Sequence, residues 1–311
     1  MAYEDSWAYP NYVGELFQIG QKKTPFLNMI GGLSNGGQIS ESFEFPMIQS
    51  WELDAGAQPA ITEADSVTGQ TETAYSRAQT KNTVQIFQEA INISYKKQST
   101  MGNLSGLNLA GGTNPVATEK DFQIMAHLKQ IAKDVDYTFL NGVQQFSTGT
   151  AVAAKTGGIA SLVPAGNKVN AATTDITKAM IDSMLRQMAD NGAAFTTPVL
   201  LCSMLQKQRI SDIYGYAPTD RNVGGVNINM IESDATEFGI VWCPQLVSST
   251  VVMADVAYCS PVFCPVPGKG VLFYEDKSKP GASEGGQIYG QIGLNVGDVN
   301  NHGMIYGLST T

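Results

Sequence analysis

Residues 41–77 constrain this chain more than any other stretch. Seven acids (Glu41, Glu44, Glu52, Asp54, Glu63, Asp65, Glu72) face one base, Arg77, across a segment rich in Thr, Ala and Gly. Period-two runs flank it. Phe43, Phe45 and Met47 lie on one side, and Val84, Ile86, Ile91, Ile93 and Tyr95 on the other. The span between them, Trp51 to Ala78, is far too long for a hairpin turn. A two-stranded finger of this length cannot bury itself, since an isolated hairpin is marginal in water. Two readings follow: a disordered surface loop, or a finger that needs a surface outside its own strands, that of a neighbouring subunit.

The remaining segments fit the second reading. Residues 1–40 mix aromatics with glycine, and a short helix is expected over Tyr12 to Ile19. Thr24-Pro25-Phe26-Leu27 reads as a bend carrying a hydrophobic plug, because Pro25 fixes its own φ and biases Thr24 toward extended geometry. A long amphipathic helix is predicted over 118–141. Thr118 is its N-cap, Asp121 the reciprocal acid, and Asn141-Gly142 the stop. Phe122, Met125, Leu128, Ile131 or Ala132, Val135 and Phe139 form its apolar stripe. At 1.5 Å per residue it would reach about 36 Å. An α/β unit follows: helices over Asp175 to Asp190 and Ser203 to Tyr214, around a buried strand at Val199 to Cys202. Glycine-bounded strands come next (Val226 to Ile231, Gly239 to Cys243, Thr250 to Ala254, Val271 to Tyr274), then tail strands at Gln287 to Val296 and Gly303 to Leu308.

Composition narrows the function classes. Charged residues make up 15% of the chain, against about a quarter in ordinary domains, which suggests a surface covered by something. No apolar run approaches the ~18 residues of a membrane span, and the acidic start is unlike a signal peptide, so no membrane partner is expected. A net charge of −9 disfavours sequence-independent nucleic-acid binding, which counterion release at Lys and Arg drives, but it does not disfavour a container for DNA. Cys202, Cys243, Cys259 and Cys264 are 41, 16 and 5 residues apart. Without a CxxC, and with only His127 and His302 to help, they are expected as free, buried, reduced thiols in a cytosolic setting, with no metal and no cofactor. His127 lies off the helix stripe and reads as a solvated or packing residue. Gly268-Lys269-Gly270 lacks P-loop spacing and reads as a turn. Glu232 and Asp234 lack a calcium-loop pattern. No nucleophile elbow accompanies either histidine, so no catalytic residue is assigned.

The order of arm, finger, long helix, α/β unit and β tail resembles the major capsid proteins of tailed bacteriophages, with their Hong Kong 97-type α+β fold. The nearest likeness is to a subgroup with a Lys-Thr-Pro-Phe corner (Lys23 to Phe26) and an Asn-x-His-Gly-x-Ile-x-Gly-Leu-like end (Asn300 to Leu308). The resemblance implies an N-terminal arm (1–40) and an extended loop (41–98). It implies a peripheral domain (99–149) with its spine helix at 118–141, an axial domain (150–284), and C-terminal strands (285–311) returning to the peripheral domain. It implies a shell of pentamers and hexamers enclosing double-stranded DNA, located in the virion capsid. Partners would be other copies, a separate scaffolding protein or none (the numbering starts at Met1 with the arm), a portal and a possible decoration protein. Subunit-interface residues would include Pro25, Phe26, Leu27, Trp51, Leu53, Ile61, Val67 and Tyr75. One subgroup joins Lys to Asn between subunits; Lys81 and Asn300 or Asn301 lie in the corresponding regions, and no bond is assigned to them. Two other readings use the same residues: an encapsulin-like compartment for protein cargo, and a carboxylate hydrolase with Glu52 and Asp54 under a long lid.

Overall fold

The long helix organises the structure, a computed structural model that describes residues 23–33, 37–51, 56–69, 72–96, 119–214, 220–223, 226–278 and 281–311. The expected Tyr12–Ile19 helix, Thr118 and Leu53 lie outside these residues. The early elements are α1 (Pro25–Met29), β1 (Gln38–Ile39), β2 (Glu44–Trp51), α2 (Glu63–Thr68), β3 (Arg77–Thr83) and β4 (Gln85–Ser94). The spine helix α3 (Glu119–Asn141) follows, then α4 (Ile159–Leu162), β5 (Lys168–Asn170), α5 (Lys178–Asp190), β6 (Pro198–Cys202) and α6 (Met204–Tyr214). The remainder is β: β7 (Asp220–Val223), β8 (Val226–Glu232), β9 (Glu237–Trp242), β10 (Val251–Asp255), β11 (Ser260–Phe263), β12 (Leu272–Asp276), β13 (Ser283–Asn295) and β14 (Gly303–Tyr306).

β13 is the centre of a five-stranded sheet. One edge pairs antiparallel with β4, from Ser283 opposite Ser94 to Ile292 opposite Gln85. The other edge takes β12 and β11 in tandem, and β1 adds parallel to β11. Alternation puts Phe87, Ile91 and Ile93 of β4 with Ile288, Ile292 and Leu294 of β13 into one core. Helix α3 closes that core with Ile131, Val135, Phe139 and Leu140. Only the C-terminal half of the predicted stripe is buried. Met125 and Leu128 are exposed, although Lys120 at the start of the helix still reaches Asp276 of β12 at 2.9 Å.

The second sheet has seven strands in the order β5-β14-β10-β6-β9-β8-β7. Its middle strands β6 and β10 are buried at every residue, so both faces must be covered. Val199, Leu201, Val252 and Ala254 point into the core under α3. Leu200, Cys202, Val251 and Met253 point into a second core, closed by Ile181, Met184, Leu185 and Met188 of α5. One strand thus feeds two cores by its period of two. Thr177 caps α5 by accepting from the Met180 N–H, and the helix ends at Gly192, whose φ of +84° suits glycine.

Four expectations need correction. The second flank of the finger is β3, paired with β2 from Glu44–Thr83 to Trp51–Arg77, whereas Val84 to Tyr95 belongs to the sheet core. The finger also contains a helix, α2, held by a capping box between Thr62 and Asp65. β11 and β12, expected in the axial unit, lie in the sheet beside β13. β14, expected to return toward the spine helix, lies instead in the seven-stranded sheet.

The C-terminal motif explains that last placement. Asn301 Oδ1 accepts the Ala194 N–H at 2.8 Å, and Asn167 Nδ2 donates to the carbonyls of Asn300 and His302. A Cβ on Gly303 would meet Met188 Sδ at 2.5 Å and Met184 Cγ at 2.8 Å, so glycine lets β14 lie against α5 without moving either methionine. Buried His302 receives the Asp255 N–H on Nδ1 (3.2 Å), so the other nitrogen carries the proton and donates to the Val296 carbonyl (2.8 Å). Burial holds its pKa below the ordinary 6.5. In the pH window below 6.5 the unfolded chain binds the proton that the fold refuses. Stability from His302 is therefore complete above pH 6.5 and falls as pH drops, by up to ~1.4 kcal/mol per unit. Denaturant titrations of wild type and His302→Gln across pH 5–7.5 should show a difference that shrinks toward acid; a constant difference would refute it.

Candidate assembly surface

The finger begins at a buried knot. Asn82, at the end of β3, is fully buried. Its Nδ2 donates to the carbonyls of Leu294 (2.7 Å) and Gly157 (3.1 Å), while Oδ1 accepts the backbone N–H groups of Gly157 and Thr83 (both 2.9 Å) and Gln144 Nε2 (3.2 Å). Gln144 Nε2 also donates to the Lys81 carbonyl (2.6 Å), and the Leu294 N–H donates to Thr156 Oγ1. One amide thus ties the root of the finger to β13 and to the loop after α3. Met47 is the last buried residue of β2 beyond this root, and from Gln49 and Gln79 outward the described residues of the finger are exposed.

Trp51 and Tyr75 meet edge to face across β2 and the approach to β3, with ring centroids 6.2 Å apart. Trp51 is 61% exposed, Tyr75 55%, Ile61 55% and Val67 85%. Four large apolar side chains on one projecting element have no core of their own. Glu63, Asp65 and Glu72 stand exposed among them, and hydrogen bonds from Thr62 hold the Asp65 carboxyl below its usual range. Met125, Leu128 and Tyr137 of α3 are exposed as well, on different sides of the helix.

The Thr-Pro-Phe corner behaves differently. It folds as α1, with Thr24 as N-cap and Pro25 in the first turn. Phe26 and Leu27 are 0% and 2% exposed and Pro25 is buried, all within the chain's own core. The plug is real, but it fills its own subunit, so these three are corrected as interface residues. Sequence reasoning missed what receives it. Asp136, in the C-terminal third of α3, is fully buried and accepts the Leu27 N–H at 2.9 Å.

Other candidates fall into structural roles. His127 Nδ1 lies 3.3 Å from a Glu89 carboxylate oxygen, tying α3 to β4. Cys202, Cys243 and Cys259 are buried free thiols, and burial pushes Cys202 up to about 12. Lys269 pairs with Glu275 at 2.6 Å and stands over the Phe273 ring, which fixes the Gly268–Gly270 turn. Asn301 is buried, with its Oδ1 accepting the Ala194 N–H. Glu52 and Asp54, the hydrolase candidates, lie outside the described residues, as does Leu53. Among the described residues no group of three or more His, Cys, Asp or Glu could hold a metal.

The family model of the SU10 major capsid protein matches residues 2–309. The chain belongs to that family. As a major capsid protein it is a structural subunit of an icosahedral phage shell, built from many copies, and its place is the virion capsid. The fold is that of the Hong Kong 97-type capsid proteins. The cyanophage A-1(L) capsid superposes with a TM-score of 0.66 at 11% identity, covering 96% of this chain and 97% of that one. The capsid of the native GTA particle gives 0.61 at 10% identity, with coverages of 99% and 98%. The holo-SrpI encapsulin of Synechococcus elongatus PCC 7942 gives 0.62 at 10% identity, with coverages of 97% and 93%. At such identities these likenesses concern the fold alone. No curated protein matches the chain.

Proposed function

We propose that this major capsid protein closes its shell through the finger, residues 41–83, laid over an adjacent subunit within pentamers and hexamers. The observation that carries the proposal is the contrast at Asn82: a root fixed by five hydrogen bonds, and beyond it Trp51, Ile61, Val67 and Tyr75 in water. A rigid root with an unburied apolar end suits a part that completes its core on a neighbour. Leu53 belongs to the same proposed contact. The Lys23–Phe26 corner and the Asn300–Leu308 end support placement in the subgroup that they mark.

The shell would enclose double-stranded DNA without reading its sequence; the net charge of −9 keeps the wall from gripping the polymer. The role is structural, with no catalytic step. A scaffolding protein, a portal and a decoration protein are the proposed partners. The likeness to an encapsulin supports a second reading, a compartment for protein cargo, which shares the shell and differs in content.

Electron microscopy with light scattering on the purified chain tests this directly. Closed particles, or rings of five and six, are expected, and particles from infected cells should contain DNA. Protein-filled, DNA-free particles would favour the compartment. A lasting 33.2 kDa monomer, in salt or under crowding, would overturn both.

A further inference from the structure

The contact between α1 and α3 has an unusual composition. The corner Pro25–Met29 plugs the core with Phe26 and Leu27, and its polar tie to α3 is the Leu27 N–H to Asp136 Oδ1. The other carboxylate oxygen, Oδ2, is buried with no hydrogen-bond partner among the described residues. A carboxylate with one oxygen satisfied and one dry is a costly group to keep ionised in a core. Opening the corner would admit water to it.

We propose that Asp136 is a proton-controlled latch for the N-terminal corner: protonated, it lets α1 seat against the spine helix; ionised, it favours release of the corner.

The surroundings leave the latch to Asp136 itself. α1 (Pro-Phe-Leu-Asn-Met) and α4 (Ile-Ala-Ser-Leu) carry no titratable side chain, and Lys23 lies just before the corner. After β9, the buried Cys243 thiol is pushed up by burial and by Asp136, so it stays protonated and brings no charge. On α3 the neighbouring groups are Lys133 and Asp134; on β4, Glu89 is paired with His127 more than two turns away. Burial raises Asp136 from 3.8 to about 7, against which the single Leu27 hydrogen bond works. The sign follows from linkage. The closed corner keeps its proton between pH 3.8 and 7 while the open corner sheds it, so closure is strongest in acid and weakens as pH rises, levelling above 7.

Hydrogen exchange of the Leu27 amide in the full chain reads the opening. Relative to a reference amide such as Gln145, which donates to the Lys155 carbonyl, Leu27 should lose protection about fiftyfold between pH 5 and pH 7, then level off. Asp136→Asn should abolish that excess while keeping an acceptor for Leu27. If the variant does not fold, the wild-type profile decides alone, since a Leu27 rate that merely tracks Gln145 overturns the latch. An unchanged excess in Asp136→Asn also overturns it. The latch lies within one subunit, so its failure leaves the shell reading standing, and shell failure leaves the latch standing.

Discussion

Replacing residues 51–77 by Asn-Gly yields a folded subunit that makes no closed shells. Ser50 and Ala78 are paired in the β2–β3 ladder, and Asn-Gly is the two-residue turn that joins such a pair without changing register. The replacement removes Trp51, Ile61, Val67 and Tyr75, all more than half exposed, so the subunit's own core loses nothing. Each such side chain contributes about 1.5–3 kcal/mol where a neighbour buries it. Four together are worth roughly 6–12 kcal/mol per contact, more than a thousandfold in association. Thermal melting should therefore stay near that of wild type while particles vanish from micrographs. Normal shells from this variant would remove the finger from the assembly mechanism.

Asn82→Ala should have the opposite signature, a large loss of stability at the root. It strands two carbonyls (Leu294, Gly157) and two N–H groups (Gly157, Thr83) at a site closed to water. A buried group left without its partner costs about 1–3 kcal/mol, and losses within one network are not additive, so about 3–5 kcal/mol is expected. Equilibrium denaturation would show it as a fall in midpoint at constant slope. Asn82→Asp should not rescue, because it keeps the acceptor, loses both donations and adds a buried charge. A midpoint unchanged in Asn82→Ala would mean that water replaces the amide.

Local pattern made much of this fold legible and left the pairing hidden. The spine helix, α5, β6 and the glycine-bounded strands follow from periodicity and caps that lie within a few residues of one another. Val84 to Tyr95 alternates as a finger flank would. Only its ten-residue ladder with β13, two hundred positions away, makes it a core strand. Met125 and Leu128 carry the right spacing for burial, but spacing alone does not decide which side chains of a stripe find a partner. Phe26 and Leu27 were readable as a plug, whereas their socket depended on Asp136, which nothing in the sequence sets apart from the other three acids of its helix. Asn82 carried no signal in isolation. The Asn-Asn-His-Gly run did: three polar residues and a glycine before an apolar strand suggest a polar network that the strand must satisfy.

β3 passes into β4 with only Val84 between them, and Val84 is fully buried. Tension on the finger therefore enters the subunit along the axis of β4. The β4–β13 ladder is loaded in shear, and its ten residue pairs share the force at once instead of unzipping in turn. A shell strained from within by packed DNA pulls on the strand whose attachment is longest.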